Sequence, residues 1–352
     1  MRSTGRVGEQ LVSGSPLAAR SASPLARRRG GRNARRNAVL AGVGVAALAG
    51  AVAATRARSR AGGPAGGSTR RRSLPTEHIS PDTEGHRGGS GTPLLLLHGI
   101  SVTWRTWKPV LPLLEKHHDV IAPTMLGHSG AAPLPEGVEP SLGAIVDGVE
   151  AELDELGLDK VHIAGNSMGG WVALELARRG RARSVVVFSP AGAFGSNLRI
   201  AALVKGMSVG VRLLESQGHR LEKLAFSPRG RRLLVSSQFE HPERADPLEL
   251  IADIRAIKNA PVVRPLLKVL NREPMEPLPD PGCPIRVVWA RRDRVIPYKH
   301  YGRPLLERLP SAELIMLDGV GHVPMTDDPE TVARLITEVT ASVDRLQVGG
   351  GK

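Results

Sequence analysis

Cysteine is almost missing from this chain of 352 residues. The single one, Cys283, excludes any intrachain disulfide, and no group of Cys and His residues has the spacing of zinc ligands. Cys283 precedes Pro284 beside an apolar run and reads as a small buried or half-buried residue. Aromatic residues are scarce as well, at 3%. Acidic residues are nearly absent from the first 75 positions, where Glu9 stands alone against 15 arginines. The remainder holds 33 basic and 33 acidic residues, so the whole net charge of +14 belongs to the N-terminal fifth. A basic tail of this kind reads as an address or a membrane-surface contact and says little about what the folded part binds. With the charge partitioned this way and few aromatics, nucleic acid is not expected as a partner. No internal repeat is visible.

Residues 1–37 are rich in Arg, Ser, Gly and Ala without apolar periodicity, which predicts a disordered basic arm. An uncharged run of 17 residues follows at 38–54, "AVLAGVGVAALAGAVAA". It is short for a spanning helix, which wants ~20 apolar residues, and has the form of either a membrane anchor or an export signal. Arginines flank both ends, with Arg35 and Arg36 before it and "RARSR" after it, so charge sets no orientation. Membrane contact through 38–54 and the flanking arginines, or export, is expected; a cytoplasmic protein with a free arm is the alternative. Residues 55–75 read as a linker and 347–352 as a tail.

From 76 to 346 the pattern is that of one folded domain. "PLLLLHG" (93–99), "DVIAPT" (119–124), "KVHIAG" (160–165), "SVVVFSP" (184–190), "IRVVWA" (285–290) and "AELIMLDG" (312–319) are short apolar runs closed by turn residues. Such runs read as strands buried on both faces of a parallel sheet. Between most of them lie amphipathic stretches of helical length. One stripe is Leu142, Ile145, Val149, Leu153 and Leu156; another is Val332, Leu335, Ile336, Val339, Val343 and Leu346. Alternating strands and helices predict an α/β fold with a doubly wound, mostly parallel sheet. Between about 194 and 280 no strand pattern occurs, and prolines punctuate helical spacing. This predicts a helical cap over the carboxyl edge of the sheet, where open α/β sheets bind ligands.

The chemistry concentrates around "HIAGNSMGGW" (162–171). A Gly-x-Ser-x-Gly pentapeptide is weak evidence alone, but here a strand pattern precedes it and "MGGWVALELARRG" follows with helical spacing. A sharp strand-to-helix turn would strain Ser167 and lift its hydroxyl clear of the sheet, with Gly165 and Gly169 removing side chains that would collide across the turn. The amide of Met168 would open the helix, where unpaired N–H groups favour an oxyanion. A second oxyanion donor is expected from the amide of Ile100 in "HGISVTW" (98–104), with His98 ordering that loop. A serine hydroxyl needs a base and the base an orienting acid. "DGVGHVPMTDDP" (318–329) supplies His322 and "WARRDRVIP" (289–297) supplies Asp293, each after a strand; Asp318 is the alternative acid. Ser129 in "GHSGA" lacks a following helix and reads as a loop residue. Trp104 and Trp107 read as core or pocket wall.

Taken together, His98-Gly99, Gly127-His128, the elbow at Ser167, Asp293 and Gly321-His322 resemble the Ser-dependent α/β-hydrolase fold superfamily with a helical cap. The resemblance covers residues ~76–346. It implies an esterase-like or lipase-like hydrolase acting on a small-molecule carboxylic ester or similar acyl compound, with Ser167 as nucleophile, His322 as base and Asp293 as acid, and with no cofactor or metal. "GNSMGG" (165–170) also resembles the elbow of meta-cleavage product hydrolases, which cut carbon–carbon bonds; where those enzymes carry Trp after the catalytic His and a Gly-Pro-Gly type loop, this chain has Val323 and Ile100-Ser101-Val102. Haloalkane dehalogenases and epoxide hydrolases of the superfamily use an Asp nucleophile instead. A non-catalytic binding protein on the same fold is the remaining alternative.

Overall fold

A computed structural model describes residues 85–192, 198–269 and 274–349. The basic arm, the apolar run at 38–54, its flanking arginines and the linker lie outside the described residues. Among the described residues no helix is long and apolar enough to cross a membrane.

Seven strands form one sheet in the order β1-β3-β2-β4-β5-β6-β7. They are β1 (Gly85–Gly89), β2 (Thr92–Leu97), β3 (His118–Pro123), β4 (Val161–Asn166), β5 (Ala182–Phe188), β6 (Ile285–Ala290) and β7 (Glu313–Leu317). All neighbours pair in parallel except β1, which runs antiparallel to β3. The helices used below are α1 (Leu142–Glu155), α2 (Met168–Arg178), α3 (Leu198–Ala225), α4 (Pro228–Val235), α5 (Pro247–Lys258), α6 (Val263–Val269) and α7 (Pro329–Gly349).

Strand periodicity explains why the central runs are continuously apolar. Successive side chains point to opposite faces, and both faces are covered. Leu95 and Leu97 of β2 join Ile163, Val185 and Val187 in a core that includes Val172 and Leu176 of α2 and Ile145 and Val149 of α1. Leu94 and Leu96 join Val186, Phe188 and Val288 in a second core closed by Val332, Ile336 and Val339 of α7. Trp107 is fully buried there, edge-on to Phe188 at 6.3 Å, whereas Trp104 is half-buried and stacks on His86. Both predicted helical stripes stop short of their last residue: Leu156 is 37% exposed and Leu346 76%.

Strand β1 carries no apolar signal, since "GHRGG" holds no aliphatic residue. It forms because β3 offers a free edge and because two side chains anchor it: Arg87 to Asp119 at 2.7 Å and His86 to Glu115 at 2.5 Å. Between β5 and β6 the described chain runs through α3, α4, α5 and α6 without a strand. Prolines open α4 and α5, where a missing N–H costs nothing, and Asp246 caps α5 by accepting from Leu248 N–H at 2.7 Å. Cys283 is half-buried, and burial pushes its thiol up to about 11.

Candidate active site

Strand β4 ends at Asn166 and α2 begins at Met168, leaving a single residue, Ser167, to make the turn. Its φ of 56° and ψ of −116° lie where a residue with a side chain is strained. The surroundings over-determine that conformation. Ser167 N–H donates to Phe188 O at 3.0 Å, and Ser167 O accepts from Ala191 N–H at 2.9 Å. A Cβ on Gly165 would strike the backbone of Gly169, and one on Gly169 would strike the carbonyls of Leu97 and His98. Glycine at both positions therefore lets β2, β4 and α2 approach closely enough to hold the serine.

His322 lies in the loop after β7 and Asp293 in the loop after β6, and the structure brings them together. His322 Nδ1–H donates to Asp293 Oδ2 at 2.7 Å, with the His side chain 7% and the Asp side chain 0% exposed. The other carboxylate oxygen, Oδ1, accepts from Val295 and Ile296 N–H, each at 2.8 Å. The carboxylate is thus aimed by its own loop, and its bond to Nδ1 selects the imidazole form whose Nε2 is a bare acceptor. Asp318, the alternative acid, is 76% exposed and paired with Arg291 at 2.8 Å. The elbow and the histidine loop are joined directly: buried Asn166 donates through Nδ2 to Phe188 O and to His322 O, both at 3.0 Å.

The loop after β2 faces the elbow. A Cβ on Gly99 would sit 3.5 Å from Cβ of Ser167, and half-buried Ile100 follows, while Met168 is buried at the first position of α2. His98 braces this loop. Its Nε2 accepts from Met125 N–H at 2.9 Å, so that nitrogen is unprotonated, and its Nδ1–H donates to Gly99 O at 2.7 Å. Complete burial, with His128 edge-on at 4.9 Å, lowers His98 from the ordinary 6.5 to about 3; burial lowers His128 to about 4. Both rings are neutral braces with no part in proton transfer near neutrality. Ser129 is a buried turn residue.

Three side chains that sequence patterns do not single out support the pair. Asn166 is one. Asp327 is 1% exposed and accepts three backbone N–H bonds, and Glu240 bridges Arg292 and Arg294 on either side of Asp293. Among the described residues no group of three His, Cys, Asp or Glu could hold a metal ion.

Residues 94–335 match the Alpha/beta hydrolase family. The chain is 38% identical over 204 residues to the epoxide hydrolase EphH of Mycobacterium tuberculosis, a stretch covering 56% of this chain and 94% of that protein. It is 36% identical over 116 residues to the 2-hydroxy-6-oxo-2,4-heptadienoate hydrolase of Pseudomonas putida, covering 32% of this chain and 42% of that one. Among solved structures, a thermophilic esterase from Thermogutta terrifontis superposes with a TM-score of 0.58 at 23% identity, over 74% of this chain and 93% of the esterase. That last likeness is one of fold.

Proposed function

Since the chain belongs to the alpha/beta hydrolase family, we propose that it is a serine hydrolase that cleaves a carboxylic ester or similar small acyl compound through an acyl-enzyme. The observation that carries this reading is the strained Ser167 on its elbow, tied through Asn166 to the loop of a buried His322–Asp293 pair. In the first half-reaction Ser167 Oγ bonds to the carbonyl carbon as His322 Nε2 takes the hydroxyl proton. The imidazolium is stabilised by Asp293. The oxygen that gains the electron pair accepts hydrogen bonds from the amides of Ile100 and Met168, aided by the positive end of α2. Collapse of the tetrahedral species breaks the carbonyl–alkoxy bond, and the leaving alcohol takes the proton from His322. Water repeats the sequence on the acyl-enzyme and frees the acid. The helices between β5 and β6 set substrate size and exclude water.

A carbon–carbon hydrolase of the meta-cleavage product type is the second reading, favoured by the similarity to the Pseudomonas putida hydrolase. Val323 and Ile100-Ser101-Val102 stand where that type carries Trp and a Gly-Pro-Gly type loop, which favours the ester reading. The relative named an epoxide hydrolase raises a third chemistry, but epoxide hydrolases of this superfamily use an Asp nucleophile where this chain has Ser167. A panel settles the order: activated esters of increasing acyl length, a meta-cleavage dienoate and a styrene-type epoxide, each with and without prior treatment by a fluorophosphonate. Ester turnover lost on labelling is the expected result; epoxide opening that survives labelling would overturn it. We further propose that the basic segment and residues 38–54 anchor or export the chain.

A further inference from the structure

The two loops that carry His322 and Asp293 meet through that buried pair and through the exposed Arg291–Asp318 ion pair, and both are also gripped by one short stretch of the helical insertion, residues 236–241. The grip on the histidine loop is double. Val323 N–H donates to Gln238 O at 3.1 Å on one side of His322. On the other side Gly321 N–H donates to Asp327 Oδ2 at 2.8 Å, and that carboxylate also accepts from Glu240 N–H at 2.9 Å and His241 N–H at 2.8 Å. The approach is so close that a Cβ on Gly321 would strike Gln238 O. The grip on the acid loop runs through Glu240, 12% exposed, which pairs with Arg292 at 2.8 Å and Arg294 at 2.7 Å. Arg294 also donates to Ser236 O at 2.8 Å.

A carboxylate 1% exposed is costly to bury and is tolerated here because fixed N–H groups satisfy it. Those donors, Glu240 and His241 on one side and Gly321 on the other, come from segments about 80 residues apart in sequence, so the carboxylate joins loops that the chain itself does not join. We propose that Asp327 is a positioning residue, fastening the foot of the cap to the histidine loop and so keeping His322 in register with Asp293 and Ser167. Glu240 completes the fastening on the acid side. The foot of the cap is then part of the catalytic frame and stays put while the rest of the insertion selects substrate. This rests on His322 being the base.

The test uses the full chain with Asp327→Asn and, separately, Glu240→Ala. Three quantities are read: the fluorophosphonate labelling rate, the pH profile of kcat/KM on an activated ester, and the downfield proton resonance of His322 Nδ1–H, which needs no substrate. Asp327→Asn is expected to slow labelling on the order of 10²-fold, as a misplacement near 1 Å does, with kcat falling more than KM changes. Its pH profile should shift and its downfield resonance move or broaden. Glu240→Ala should act in the same direction by a smaller factor. An Asp327→Asn protein with wild-type rate, profile and resonance overturns the proposal. If Asp327→Asn does not fold, Glu240→Ala decides, and unchanged behaviour there overturns it. A wild-type chain that neither labels nor cleaves esters defeats the serine-hydrolase reading instead, and the resonance alone still judges whether Asp327 positions His322.

Discussion

Ser184, His162 and Asp344 form a hydrogen-bonded array at the opposite end of the sheet from Ser167, and removing its acid should cost stability and leave chemistry intact. His162 stands second in β4 and is fully buried; its Nδ1 accepts from the hydroxyl of Ser184 at 2.7 Å, and its Nε2–H donates to Asp344 of α7 at 3.1 Å. Asp344 also accepts from Thr92 Oγ1 at 2.7 Å and Arg183 Nη2 at 2.8 Å. Five residue steps of strand separate His162 from Ser167, roughly 16 Å at the usual rise. With Ser184 1% exposed, this array meets no substrate; it pins α7 to β2, β4 and β5. In Asp344→Ala the buried Nε2–H loses its partner, at about 1–3 kcal/mol, and two partly exposed donors return to water at about 0.5–1 kcal/mol each. The total is about 2–5 kcal/mol. For a domain of this size, at ~2–4 °C per kcal/mol, Tm should fall by roughly 4–20 °C. Differential scanning fluorimetry reads the loss, and the fluorophosphonate labelling rate at 25 °C should be unchanged. A Tm within about 1 °C of wild type would show that the bonds contribute nothing. Lost labelling in a folded Asp344→Ala protein would move the chemistry to the wrong end of the sheet.

Ser167→Ala should abolish fluorophosphonate labelling and cut ester turnover by ~10⁴–10⁶, with His322→Ala costing a similar factor and Asp293→Asn the same or somewhat less. Asp318→Asn, losing only an exposed ion pair, should keep full activity; steady-state kinetics on one ester compares all four. The folded protein should weaken in mild acid. His98 and His128 titrate at about 3 and about 4 when folded and near 6.5 when unfolded, so the unfolded chain binds more protons between those values. Their contribution is complete above about pH 6.5 and is lost as the pH falls, at about 1.4 kcal/mol per pH unit for each ring; urea titrations at pH 7.5 and 5.5 that coincide would refute it. Removing residues 1–72 should leave a folded, active protein in the soluble fraction, while the full chain fractionates with membranes or leaves the cell; equal distribution of the two after centrifugation counts against an address in that segment.

The parallel strands were legible because burial on both faces demands continuous apolar runs, and "PLLLL" and "SVVVF" can satisfy nothing else. The edge strand β1 was not, because an edge answers to backbone pairing and charge rather than to apolar pattern. Ser167, Asp293 and His322 stood out because a strained elbow and loops after strands leave local signatures of Gly, Asp and His. Asn166, Glu240 and Asp327 left none. Each acts on a segment distant in sequence, as when Asp327 receives Glu240 N–H, and such bonds exist only once the chain is folded. The helical stripes predicted the buried faces well, but their last residues, Leu156 and Leu346, lie beyond the packing partner.

The glycine-rich β1 carries a consequence for handling the protein. Strand β3 is apolar on both sides, with Val120 and Ile121 buried, and without β1 its outer rank of backbone donors and acceptors would lie open beside those side chains. Such an edge is a template for another copy of the same strand. Five residues with one Arg, one His and a left-handed turn at Gly89 (φ 85°) terminate the ladder, and leave outward a strand too short and too charged to recruit a neighbour. Trimming the N-terminus past Gly89 would expose sticky strand, so the boundary that separates a dispersed protein from an aggregating one lies a few residues before the apolar run of β2.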